Sequence, residues 1–143
     1  IILAQVYASQ KNEKAIQHYD KALELNPISI EGHYGKALFW QENGQNEKAV
    51  AEYRKIISKN PQYQDAYYNV GYIYFNEGKY ADAQAQFDIA IRMSPAYAKA
   101  YYMRGFCAEK MGNKQEAKND YIRALNFDEE LKMAEKALKR VEK

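Results

Sequence analysis

Residues 64–97 read QDAYYNVGYIYFNEGKYADAQAQFDIAIRMSPAY, and the spacing of small and aromatic residues in this stretch decides the fold. Tyr67, Val70-Gly71 and Tyr74 follow one another at three- and four-residue intervals, as do Ala83, Phe87 and Ala90. Residues so spaced share one face of a helix, whereas a strand would show alternation. Gly78 permits the turn that stops a first helix. Pro95 ends a second, because proline lacks the N–H a continuing helix needs and restricts the residue before it. The stretch therefore predicts two helices, Gln64–Glu77 and Lys79–Met93.

The same pattern recurs in both directions with a period of 34 residues. Pro27, Pro61 and Pro95 keep that interval, and so do Gly44, Gly78 and Gly112. Ala15, Ala49, Ala83 and Ala117 keep it too. Tyr19, Tyr53, Phe87 and Tyr121 follow four residues behind these alanines, and Ala22, Ile56, Ala90 and Ala124 three residues later. Self-similarity at this period signals a solenoid of stacked supersecondary units. Further helices are predicted over Ile1–Gln10, Glu13–Leu25, Ile30–Asn43, Asn46–Ser58, Ala98–Met111 and Lys114–Asn126. The fold class is all-α. The alanines, with Gly71, Gly105, Ala37 and Leu3 on the first helices, are expected where the two helices of a hairpin approach closely.

The last segment departs from the repeat. The run Asp128-Glu129-Glu130 can cap a helix at its positive end. Leu131, Ala134, Leu138 and Val141 then recur on one stripe, leaving Lys132, Glu135, Lys136, Lys139 and Arg140 to solvent. A solenoid needs such a terminal element to cover its last apolar surface. One domain over 1–143 is expected: a partial repeat 1–29, repeats 30–63, 64–97 and 98–131, and a capping helix at about 130–142. The chain begins partway through a helix, which points to an excised or processed piece.

Composition excludes several classes of function. Apolar residues make up 47%, charged residues 28%, and the formal net charge is +2, which argues against disorder and against a polycationic nucleic-acid binder. The single cysteine, Cys107, excludes an internal disulfide framework and a multi-cysteine zinc site. No run approaches the length of a membrane span. His18 and His33 fall on different kinds of helix and make no metal pair. Cys107 has no histidine near it to activate the thiol. No nucleophile elbow or phosphate-binding glycine loop is present, and Asp82 and Asp120 read as solvent-facing carboxylates. No enzyme, no cofactor and no metal are expected. Lys36, Lys99, Arg104, Lys110, Lys114 and Lys118 suggest a local basic zone, diluted by Glu109, Glu116 and Asp120, so nucleic-acid binding is a lesser alternative.

The repeats resemble the tetratricopeptide repeat, whose signature combines an aromatic, a leucine-glycine pair, a tyrosine, an alanine, an aromatic, an alanine and a proline. Tyr67, Val70-Gly71, Tyr74, Ala83, Phe87, Ala90 and Pro95 carry the likeness. Tyr101, Gly105, Ala108, Ala117, Tyr121 and Ala124 repeat it, with Glu129 in place of the proline. His33, Ala37, Trp40, Ala49, Tyr53, Ile56 and Pro61 carry it in the preceding unit. The resemblance implies a right-handed superhelical solenoid whose first helices line a concave groove. It also implies a protein-interaction role, with an extended peptide or a helix of a partner held there by an adaptor or assembly scaffold.

Carried over position by position, the resemblance assigns partner contact to Tyr34, Leu38 and Gln41, to Tyr68, Asn69, Tyr72 and Phe75, and to Lys99, Tyr102, Phe106 and Glu109. Glu31, Asp65, Glu42, Asn76 and Lys110 flank them. Tyr34, Tyr68 and Tyr102 form one row, for which packing between repeats is the competing reading. Tyr67, Tyr74 and Tyr101 are expected in the core. Some members clamp a terminal carboxylate with lysine, asparagine, asparagine, lysine and arginine. The matching positions here are Tyr34, Leu38, Asn69, Lys99 and Met103, so only Asn69 and Lys99 agree and the clamp is expected to be absent. A structural or self-associating segment of a larger protein is the alternative function. Cytoplasm and bacterial cell envelope both stay open, the first slightly favoured.

Overall fold

Three prolines and three glycines set the helix ends. Asn26, Asn60 and Ser94, each before a proline, leave the helical region for φ/ψ of −142/85, −137/87 and −134/85°. Gly44, Gly78 and Gly112 hold φ of 75, 77 and 86°, a left-handed turn that side chains disfavour. Beyond each glycine the next N–H returns to the helix, as where Gln45 donates to the Trp40 carbonyl oxygen at 2.8 Å.

In the computed structural model, which describes residues 1–143, these signals yield nine helices. They are α1 (Ile2–Ser9), α2 (Lys14–Leu25), α3 (Ile30–Glu42), α4 (Asn46–Lys59), α5 (Gln64–Asn76), α6 (Tyr80–Met93), α7 (Ala98–Lys110), α8 (Lys114–Phe127) and α9 (Lys132–Val141). The fold is all-α, made of stacked helix-turn-helix units. Two compact units divide it, Ile1–Ala66 and Tyr67–Lys143.

In the first unit α1 pairs with α2 and α3 with α4, while α2 packs on α3. Ala4, Ala15, Ala37 and Ala49 are fully buried at these approaches, and Tyr19 and Tyr53 fill the space beside them. Leu3 departs from expectation. It is 50% exposed, because α1 turns Ala4 rather than Leu3 toward the core.

In the second unit Phe87 of α6 lies against Gly71 of α5, so a methyl group at Gly71 would sit 2.9 Å from the ring. Successive helices α6, α7, α8 and α9 pack in sequence. Ala83, Ala90, Ala100, Ala108, Ala117, Ala124, Ala134 and Ala137 are all fully buried along these seams.

The start of α9 corrects the expected cap. Leu131 is the N-cap and accepts no side-chain bond, so the acidic run does not cap the helix. Asp128 instead accepts from the Glu130 N–H at 3.1 Å in a local turn. Its own φ/ψ of −144/92° matches the residues that precede the three prolines, although Glu129 follows it.

Candidate partner-binding faces

On the first unit, α3 presents Tyr34, Leu38 and Gln41 on one side. Tyr34 is half-buried and stands edge-on to Tyr53 and Tyr63, with centroids 5.8 and 5.9 Å away. Leu38 is half-buried beside it. Gln41 Oε1 accepts from the Tyr53 hydroxyl at 2.7 Å. Burial, reinforced by Tyr34, Glu42 and Tyr63, pushes the Tyr53 phenol far above its ordinary range. Gln41 therefore holds a core hydroxyl as well as facing outward.

On the second unit, α5 and α7 carry the larger group. Tyr68 meets Phe87 edge-on at 5.5 Å and leans on Tyr97 at 5.2 Å. Its phenol is pushed up to about 12, by burial first and then by Tyr72 and Tyr102. Tyr72 is the open ring of the set, 39% exposed. Phe75 and Phe106 pack edge to face at 4.8 Å, and Lys110 Nζ lies 5.3 Å from the Phe106 centroid. Asn69 is half-buried, while Lys99 is exposed at the start of α7. Tyr102 is only 8% exposed, tilted against Tyr121 at 5.7 Å. The position-matched tyrosines are thus unequal. Tyr102 packs, Tyr34 and Tyr68 show part of a ring, and Tyr72 offers a face.

Glu109 is tied on two sides. It accepts from the Tyr121 hydroxyl at 3.1 Å and from the Arg140 guanidinium of α9 at 2.9 Å. The guanidinium carbon of Arg140 also lies 5.6 Å from the Phe106 centroid. Of the expected core tyrosines, Tyr101 is buried, donates to the Pro95 carbonyl oxygen at 3.0 Å and stacks on Phe127. Tyr67 and Tyr74 are half-buried.

Two ion clusters correct the reading of the charged residues. Asp120, expected in solvent, is 4% exposed. Arg104 donates to both its oxygens, at 2.8 and 2.7 Å, and Arg123 adds a third bond at 3.0 Å. Arg104 also donates to Asp88 at 2.8 Å. Two repeats earlier the same positions form the same cluster. Lys36 lies 2.7 Å from Asp20 and 3.4 Å from Glu52, and Lys55 lies 3.1 Å from Glu52. His33, the counterpart of Tyr101, is buried there. Its Nε2–H donates to the Pro27 carbonyl oxygen at 3.0 Å, and its Nδ1 lies 2.9 Å from Glu52. Lys36 and Arg104 are therefore engaged in ion pairs rather than forming a free basic zone. Sequence spacing carried the signal, since all four charged positions recur two repeats apart while Val70 and Gln86 interrupt the series between.

His18 stacks on Tyr7 with centroids 5.2 Å apart. Cys107 is fully buried, and burial pushes its thiol up to about 12, so it is not a thiolate near neutrality. No group of three or more His, Cys, Asp and Glu is placed to hold a metal ion. No helix is long and apolar enough to cross a membrane.

Against known proteins, a profile described as TPR repeat matches residues 5–44 and 41–78, and one described as tetratricopeptide repeat matches 68–128. The chain belongs to the tetratricopeptide repeat family. No curated protein sequence matches it. Among solved structures, MamA aligns at 23% identity with a TM-score of 0.80, covering 89% of this chain and 74% of that one. The pilF protein of Pseudomonas aeruginosa aligns at 21% identity and TM-score 0.86, over 97% of this chain and 64% of that one. The first tetratricopeptide domain of Spaghetti (RPAP3), solved with an HSP90 peptide, aligns at 25% identity and TM-score 0.74, over 77% and 87%. These likenesses agree with the hairpin stacking of each unit.

Proposed function

We propose that this tetratricopeptide repeat chain captures an extended segment or helix of a protein partner on its first-helix faces, as an adaptor or assembly scaffold. The observation that carries the reading is made on each unit by itself: part-open Tyr34 beside Leu38 on α3 in the first, and part-open Tyr68 and Tyr72 on α5 with half-buried Phe106 on α7 in the second. Rings of this kind bury much area for little lost rotamer freedom, which suits recognition. We propose the register as repeats 30–63, 64–97 and 98–131, after a partial repeat and before α9.

The relative solved with an HSP90 peptide supports peptide capture as the mode. A carboxylate clamp is not the chemistry of this chain. Tyr34 and Leu38 supply no lysine or asparagine, and Met103 is buried at 4% where an arginine would be needed. Only Asn69 and Lys99 remain, too few to hold a carboxylate by fork and point charge together.

The test uses half-buried Leu38 and exposed Tyr72. A Leu38→Ala/Tyr72→Ala variant avoids buried Tyr102 and keeps the helices intact. Affinity capture with the native chain should recover a partner that this variant loses. Recovery of the same proteins by both overturns the assignment of these faces. A second reading, self-association, rests on the open apolar side chains of α1, where Ile2, Leu3 and Val6 are 81, 50 and 46% exposed. Sedimentation velocity should then show dimers that Leu3→Lys/Val6→Lys abolishes.

A further inference from the structure

Unit 1 contains a cavity of about 470 Å³ bordered by α1 and α3. Its floor is the Tyr19 ring lying on Gly35, so close that a methyl group at Gly35 would sit 2.5 Å from Tyr19 Cε1. The same repeat position on α7 carries buried Met103. The walls are Tyr34 and Tyr63, edge to face at 5.9 Å, with Leu38 between the helix ends. Two carboxylates belong to the lining, Glu31 in the first turn of α3 and Glu42 at its last residue, and no lysine, arginine or histidine does. Both are exposed. Both fields reach the floor: burial first, then Glu31 and Glu42, hold the Tyr19 phenol above its ordinary value. This hollow is negative in a chain whose formal net charge is +2.

We infer that this face binds a basic segment, with one cationic side chain set against Glu31 and a second against Glu42 and the ring walls between them. The inference rests on the peptide-capture reading above. Carboxylates beside low-dielectric walls focus a field that selects cations, and the faces of Tyr34 and Tyr63 attract them further. Geometry sets the spacing. The two glutamates lie eleven residues apart on α3, roughly 16 Å at about 1.5 Å per residue. An extended chain covers that in about five residues at roughly 3.3 Å each. Side chains four apart in such a segment share a face, and long basic side chains reach the remaining distance. The occupant is thus an extended lysine- or arginine-bearing segment with cations four positions apart.

The experiment pans three pools of random decapeptides over the immobilised full chain. The fixed residues at positions i and i+4 are Lys/Arg in the first pool, Glu in the second and Leu in the third. Retention of the basic pool at least tenfold above the acidic one is expected. Glu31→Gln/Glu42→Gln, which changes only exposed groups, should erase that preference, and helical circular dichroism confirms that the variant is folded. Basic retention unaffected by the double variant overturns the inference. Preference for the acidic or leucine pool, lost in Leu38→Ala/Tyr72→Ala, also overturns it but leaves peptide capture standing. No retention of any pool by the native chain overturns both.

Discussion

Glu52 is 5% exposed and faces three nitrogen-bearing side chains, His33, Lys36 and Lys55. Burial alone would raise its carboxyl, but bonds from His33 and Lys55 and the charges of Lys36 and Lys55 outweigh burial and hold it below the glutamate range. A carboxyl depressed in the folded state gives stability that is complete above its unfolded value, about 4.3, and lost as pH falls through the folded one. The urea midpoint should therefore drop as pH is lowered below about 4, and Glu52→Gln should start lower and fall less steeply over that window. Equal slopes for the two proteins would remove Glu52 from the account. Glycines offer a second residue-scale test, because their surroundings differ in kind. A methyl group on Gly105 would meet Asp120 Cβ and Tyr121 Cε1 at 3.0 Å and the Ala117 carbonyl oxygen at 3.1 Å. Backbone of α8 cannot yield as a side-chain tip can, so overpacking of about 1–3 kcal/mol outweighs the helix propensity that alanine gains. At Gly32 the nearest atom is the Leu23 Cδ2 tip, at 2.9 Å, which can rotate away. Gly105→Ala should lower the thermal midpoint while Gly32→Ala holds or raises it. A sequence shows both as helical glycines. Only the packed neighbour separates them.

Helix boundaries were legible because each rests on a local conformational rule. Proline at Pro27, Pro61 and Pro95 and glycine at Gly44, Gly78 and Gly112 act on their immediate neighbours, and those helices end within one residue of their predicted limits. Exposure of the rings was not legible, because it depends on residues of other helices. Tyr97 covers Tyr68 and Tyr121 backs Tyr102, whereas Tyr72 is left open. Helix α9 shows which forces hold an element. It buries Leu131, Ala134 and Ala137, and it also makes the Arg140–Glu109 pair. Arg140 is half exposed, so water and salt screen that pair. Arg140→Ala should cost no more than about 1 kcal/mol. Ala137→Asp places a carboxylate in a fully buried seam and should cost about 3 kcal/mol or more, releasing the helix. Urea titrations followed by far-ultraviolet circular dichroism rank the two. A greater loss from Arg140→Ala would mean that charge, not the alanine seam, fastens α9.

At the scale of the molecule, the all-α solenoid class was legible from helical spacing and recurrence, and the family from its resemblance at signature residues such as Gly71, Ala83 and Phe87. The ion clusters were written in the recurrence too, at twice the repeat length. Asp20, Lys36, Glu52 and Lys55 return as Asp88, Arg104, Asp120 and Arg123. Single positions read one at a time made Asp120 look like a surface acid; read as a set, they mark in each unit one ion cluster around a buried acid, Glu52 or Asp120. The units differ in what covers their apolar residues. The second has α9 over α8, with Leu131, Ala134 and Ala137 buried. The first leaves Ile2, Leu3, Val6, Leu25 and Ile28 open, with Ile2 81% and Leu25 90% exposed, whereas the openings of the second are smaller, reaching 51% at Phe127 and Met133. In a repeat array stability is a sum of local terms, so a unit with open apolar edges unfolds at lower denaturant than one with a covered end. The single tryptophan makes this measurable. Trp40 lies in the first unit beside Phe39, with Lys48 Nζ 4.4 Å from its ring centroid. Its fluorescence reports that unit, while helical ellipticity reports both. The fluorescence midpoint in urea should precede the ellipticity midpoint, and Leu3→Lys/Val6→Lys should leave the later part of the ellipticity curve unchanged. Coincident transitions would mean that the chain melts as one cooperative body, and the open edge of α1 would then lower the stability of every repeat equally.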